Sequence, residues 1–219
     1  MKYLKMLGLA AVAAAALMAF GGAGTASASV VCSTAVSPCP AAQKWPNTVN
    51  GIDFSTENST GTGAGKATLE DEFGFVKNEC ESTVQGTLTN GSATATATLS
   101  GITLTWSNCT RTTATIATGT LEIHNIASSN NGTVTAKGFE VTSKVPKLFE
   151  GGEESCIFES GTTGLDLGTL TAGTPPTMDV STTVALAPNQ GPNCPANAKW
   201  TAKYKLTTPS GTTGDLSTS

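Results

Sequence analysis

Ala93-Thr94-Ala95-Thr96-Ala97-Thr98-Leu99, followed across Ser100-Gly101 by Ile102-Thr103-Leu104-Thr105-Trp106, decides the fold class of this chain. Apolar and hydroxyl side chains alternate strictly, which on a pleated strand sends one set to each face. The first half offers a small-residue face and the second a large one. The pattern recurs at Trp200, Ala202, Tyr204 and Leu206, which alternate with Thr201, Lys203 and Lys205. Val134 and Ala136 share one phase while Phe139 and Val141 share the other. Gly138 stands at the switch, where a β-bulge would shift the register by one. Beyond the N-terminal apolar run, no segment sustains a 3.6-residue period.

Turn signals punctuate these runs: Asn90-Gly91, Ser100-Gly101, Asn130-Asn131-Gly132, Gly151-Gly152 and Gly161. Asn90-Gly91 reads as a two-residue hairpin turn. Together these features predict an all-β protein, an antiparallel β-sandwich of roughly 9–12 strands. Threonine, with 38 occurrences in 219 residues, suits the solvent face of such strands because its branched Cβ fits the pleat.

Composition narrows the chemistry. Charged residues make up 13% and aromatic ones 5%, about half the usual charge of a soluble domain. There is one histidine, His124, and one arginine, Arg111. A histidine-based triad therefore has a single candidate base, and a histidine-rich metal site is excluded. A pI of about 5.0 opposes nucleic-acid binding, which needs clustered cations.

Residues 1 to 28 read as an export signal: Lys2 and Lys5, an apolar run from Met6 to Phe20, and the small-residue site Ala26-Ser27-Ala28. The run falls short of the roughly 20 residues that span a bilayer. Cys32 lies close enough to suggest a lipoprotein, but Val30-Val31 stands where lipidation needs small residues. Removing the signal takes the net charge from −4 to −6, favouring solubility over docking to anionic membranes. No later stretch is long and apolar enough for insertion. A secreted, extracellular location is expected.

All six cysteines, Cys32, Cys39, Cys80, Cys109, Cys156 and Cys194, follow the signal. An even number in an exported chain reads as three disulfides, out of 15 possible connectivities. Sequence order suggests Cys32–Cys39, Cys80–Cys109 and Cys156–Cys194. A metal site is the rival, disfavoured because no C-x-x-C pair occurs. The organisation expected is a signal over 1–28, an irregular N-terminal extension over 29–65 and a β-sandwich domain over 66–219. Within the last, the tail from Pro209 to Ser219 reads as a last edge strand or a disordered end, with fraying from about Ser210 the favoured of the two.

The candidate chemistry is sparse. His124 shares the phase of Glu122, opposite Leu121 and Ile123, and reads as a surface histidine. Glu70-Asp71-Glu72 and Glu150-Gly151-Gly152-Glu153-Glu154 read as solvated turns, with calcium ligation or paired-carboxylate hydrolysis as the sharper alternatives. Trp106 and Trp200 share the phase of aliphatic neighbours and read as core. Trp45, before Pro46 in the irregular segment, is the aromatic candidate for ligand contact. Asn58, Asn90, Asn108 and Asn131 open glycosylation sequons. No catalytic residue, metal or cofactor is expected.

Cys80-Glu81-Ser82-Thr83-Val84-Gln85-Gly86, continuing to Gly101-Ile102-Thr103-Leu104-Thr105-Trp106-Ser107-Asn108-Cys109, resembles a group of exported disulfide-containing proteins abundant in actinobacteria. Gly132-Thr133-Val134-Thr135, Cys156 with Phe158, and Cys194-Pro195 leading to Trp200 extend the likeness over about Gly65 to Ser219. More distantly, the chain is similar to the secreted alkane-oxidation activator type. That type's Leu-Pro-Trp after the second cysteine is replaced here by Leu121-Glu122-Ile123. The resemblance implies an exported all-β fold and transfers no site. The expected role is a non-enzymatic protein of the cell surface or extracellular matrix, with a cell-wall or matrix component as partner. The alternative is an extracellular binding module for carbohydrate or another ligand.

Overall fold

The structure, a computed structural model, describes residues 29–32, 42, 44, 48–56, 65–72, 74, 76–90, 97–111, 119–126, 129–147, 151–173, 175–207 and 215–218. These residues form thirteen β-strands: β1 (Ser29–Cys32), β2 (Thr48–Thr56), β3 (Ala67–Asp71), β4 (Lys77–Thr89), β5 (Ala97–Ser107), β6 (Thr120–Asn125), β7 (Gly132–Lys137), β8 (Glu140–Pro146), β9 (Glu153–Glu159), β10 (Leu165–Thr171), β11 (Thr177–Leu186), β12 (Asn197–Thr207) and β13 (Asp215–Thr218). The all-β reading holds, with slightly more strands than expected. The sandwich does not form. The strands close into an eight-stranded barrel in the order β12-β3-β4-β5-β6-β7-β10-β11, with β11 returning to β12.

Local alternation is identical in a sandwich and a barrel; closure depends on how far each strand coils. Register shifts at Val49/Ile52, Gln85/Thr87 and Asp166/Gly168 supply that curvature. Gly168 shows why a glycine sits at one of them. Its φ is 144°, and a Cβ there would lie 2.1 Å from the Asp179 carbonyl oxygen on the neighbouring strand.

The inward phase of each strand fills the barrel. Val84, Leu88, Leu99, Leu104, Trp106, Leu121, Ile123, Val134, Leu170, Met178, Val180, Trp200, Tyr204 and Leu206 are all buried. Threonines and lysines take the outward phase, the reverse of the lipid-facing pattern of membrane barrels. No helix among the described residues is long and apolar enough to cross a membrane.

Where an irregular extension is expected, the chain supplies a piece of the wall. The position between β12 and β4 is shared end to end by two strands. β2 pairs Phe54 with Leu206 and Val84, whereas β3 pairs Leu69 with Trp200 and Asn78. The expected fraying tail also holds a strand: β13 pairs with β1, Ser29 opposite Thr218. This small sheet packs beside β5 and β6. The Asn90 side chain clamps it, accepting from the Val31 N–H at 2.8 Å and donating to the Val31 carbonyl at 3.4 Å. Thr89 pairs with Thr98, a register that a two-residue hairpin at Asn90-Gly91 would not give; residues 91–96, with most of the Ala93 to Ala97 run, lie outside the described residues.

The phase switch at Gly138 has a different cause from the bulge expected. β7 ends there and β8 begins, and the glycine's φ of 64° turns the corner. The β8–β9 hairpin then folds across one end of the barrel. Phe139 stacks on Trp200, with centroids 5.1 Å apart and planes 13° from parallel. Val141, Val145 and Phe158 are buried with it. The hairpin joins the wall through β11, pairing Ala185 with Glu159 and Leu186 with Phe158.

Candidate functional site

Two of the expected disulfides form. Cys80–Cys109 joins the start of β4 to the residues after β5, and Cys156–Cys194 ties the hairpin to the loop between β11 and β12. Cys32 is also disulfide-bonded; Cys39, its expected partner, lies outside the described residues. Trp45, the ligand-contact candidate, lies outside them too, as does Asn58.

One residue of each acidic cluster holds structure; Glu150 lies outside the described residues. Asp71 caps the turn between β3 and β4, its carboxylate accepting from the Val76 N–H at 3.0 Å. Glu154 accepts from the backbone and side-chain nitrogens of Asn193 at 3.2 and 2.8 Å. Together with Cys156–Cys194, and the Ile157 N–H donated to Gln190 at 3.1 Å, this latches the hairpin onto the loop. No group of three metal-ligating side chains occurs among the described residues. His124 lies on the outer face, 3.6 Å from Glu122, whose other oxygen takes the Lys137 ammonium at 2.8 Å. Such exposed pairs contribute about 0–1 kcal/mol. Asn108 donates to Glu81 at 2.8 Å and Asn131 accepts from the Ala172 N–H at 3.0 Å.

Two places depart from a uniformly apolar lumen. Under the hairpin, Asn78 is fully buried. It accepts from the Arg111 N–H at 3.0 Å and donates to the Ser143 hydroxyl at 3.5 Å. A half-open space beside Ser143, bounded by Leu69, Val76, Val145, Phe158 and Ala198, measures about 10 Å³, about one water-sized probe.

The second place is the junction of β2 and β3. β2 ends at Thr56, opposite Tyr204, and β3 starts at Ala67, opposite Cys80, with Thr68 opposite Thr201. Behind this junction the Ser82 and Tyr204 hydroxyls lie 2.9 Å apart, and the Ser82 N–H donates to the Thr56 hydroxyl at 3.1 Å. Burial pushes the Tyr204 phenol above its ordinary range, while the nearby Ser82 hydroxyl and Trp200 indole pull the other way. Outside, Lys66, Thr68, Asp179, Ser181, Thr201 and Lys203 border an open groove of about 420 Å³.

The sequence reading places Tyr204 inward but misses its partner. Ser82 shares the phase of Cys80 and Val84, and a hydroxyl on an apolar face is the signal that could have found it. No protein-family model, curated protein or solved structure matches the chain.

Proposed function

We propose that this chain is an exported, non-enzymatic β-barrel protein of the cell surface or extracellular matrix, acting through its outer face. The observation that carries this reading is the filled lumen. Trp106, Trp200, Tyr204, Phe139 and their aliphatic neighbours occupy the interior where ligand-binding barrels keep a chamber. The export-signal pattern, the disulfides and the likeness to exported actinobacterial proteins support the location. A binding module is the second reading, favoured by the open groove beside Lys66 and Lys203 on the outer wall.

Expression of the full chain with its own leader tests the location. A product released from the cell with Ser29 as its first residue is expected; intact chain retained in the cytosol overturns the proposal. Turnover of any ester, glycoside or peptide in a substrate panel by the purified chain overturns its non-enzymatic part. Saturable binding of a polysaccharide, lost on substituting Lys66 and Lys203 with alanine, would favour the binding module.

A further inference from the structure

The closed wall leaves one strand with an open edge. β8 pairs only with β9, and the register decides which of its backbone groups that pairing uses. Ser160 donates its N–H to the Phe139 carbonyl at 2.9 Å, and Lys147 donates to the Gly152 carbonyl at 3.0 Å. Ile157, opposite Thr142, turns both of its backbone groups away from β8. Its N–H goes to Gln190, and its carbonyl accepts from the Ala187 N–H. Bonded and non-bonded pairs alternate along an antiparallel ladder. The odd-numbered residues of β8 therefore bond β9, and the N–H and C=O groups of Glu140, Thr142 and Lys144 point to the open edge. Among the described residues none of these groups has a partner.

The side chains of the same three residues lie on the outer face, since Val141, Ser143 and Val145 are the buried ones. Glu140 stands directly across from Glu159, a like-charged pair that disfavours the ladder. Neither Glu140 nor Lys144 makes an ion pair among the described residues.

A second copy of β8 answers both the edge and the charges. Laid antiparallel about a two-fold axis at Thr142, it sets Thr142 against its own copy and Glu140 against the partner's Lys144 on either side. All three opposed pairs are of the bonded kind, and each exchanges two bonds, giving about six in all. The ladder ends by itself. Its next pair would set Gly138 against the partner's Pro146, but the Gly138 N–H is already given to Gly161 and proline has none. Lysine and proline on an edge ordinarily keep other strands away. Lys144 is matched by a strand with glutamate at the mirrored position, and β8 itself is such a strand.

We propose that β8 is the docking edge for a second copy of this chain, in a two-fold dimer where Glu140 of each protomer meets Lys144 of the other. Such self-complementarity is what a two-fold interface requires. The backbone ladder holds the two strands together, while the charges fix the register and turn away other strands. A contact this short is reversible and dissociates on dilution.

Sedimentation equilibrium of the exported chain, from micromolar to millimolar concentration, tests this. The unaltered chain is expected to pass from monomer to dimer as concentration rises. Glu140→Lys sets lysine against lysine across the axis, and Lys144→Glu sets glutamate against glutamate, so each alone should remain monomeric. Neither change removes a bond to β9, and native near-ultraviolet dichroism should persist in both. Mixing the two variants in equal amounts opposes unlike charges at both positions, and the dimer should return. Thr142→Pro deletes the central outward N–H and should also remain monomeric. A monomer at every concentration of the unaltered chain overturns the proposal. So does a dimer that survives in any of the three variants, or a mixture of the charge variants that stays monomeric.

Discussion

Tyr204 makes the interior of the barrel accessible to a simple titration. The chain has two tyrosines, and the other, Tyr3, precedes Ser29, so a chain starting at Ser29 reports on Tyr204 alone. Its side chain is fully buried, and burial disfavours the phenolate. The unfolded chain ionises near pH 10 while the folded chain holds its proton. Stability from this group is therefore complete below pH 10 and lost as pH rises above it, by about 1.4 kcal/mol per unit. At pH 12 the loss is about 3 kcal/mol, a sizeable part of the 5–15 kcal/mol typical of a domain. Tyrosinate absorbance after a rapid pH jump should stay silent while near-ultraviolet dichroism remains native, and then appear together with unfolding. A reversible transition near pH 10 in protein that is still folded would refute the burial of Tyr204 and the filled lumen with it.

Three substitutions probe other parts of the fold. Phe139→Ala removes the stopper stacked on Trp200 and should cost about 3–5 kcal/mol, of which the ring pair accounts for about 0.5–1.5 kcal/mol. A fall in the urea midpoint with an unchanged slope, plus altered Trp emission, would confirm it; a loss below about 1 kcal/mol would remove the hairpin from the mouth. Replacing Cys156 and Cys194 together by alanine opens a link spanning 38 residues, and the chain-entropy relation puts its contribution at about 4 kcal/mol. Hydrogen exchange should then accelerate first in β8 and β9, and equal acceleration throughout would deny the hairpin its separate attachment. Gly168→Ala should cost more than about 1 kcal/mol, since both its φ and the Asp179 carbonyl oppose a Cβ; an unchanged midpoint would contradict the β10–β11 approach.

What the sequence makes readable is local. The alternation in Ile102-Thr103-Leu104-Thr105-Trp106 assigns a strand and its faces correctly because both follow from a period of two. It carries no information about whether the sheet coils into a ring. Closure rests on pairings such as Leu69 with Trp200, far apart in the chain, and on bulges whose position depends on those pairings. β1 escapes notice for a related reason, being a short strand paired with β13 from the far end of the chain, and the tail that holds β13 leaves an edge strand and a frayed end open until that pairing forms. The phase change around Gly138 is visible, but a bulge and a corner between two strands leave the same trace. Likewise, Asp71 and Glu154 look like solvated charge until the fold brings Val76 and Asn193 to them. The cysteines are the exception, because their order along the chain matches two pairings that the structure forms.

The central claim is a closed wall whose last position is shared by β2 and β3. Amide and α-proton cross-peaks between neighbouring strands measure it most directly. The fold requires contacts of Trp200 with Leu69, Leu206 with Phe54, Val180 with Ala202, and Gly168 with Val180, within an unbroken circuit from β12 through β3 and β4 and back through β10 and β11. A spectrum in which that circuit is interrupted on two sides, leaving two separate packed sheets, would contradict it.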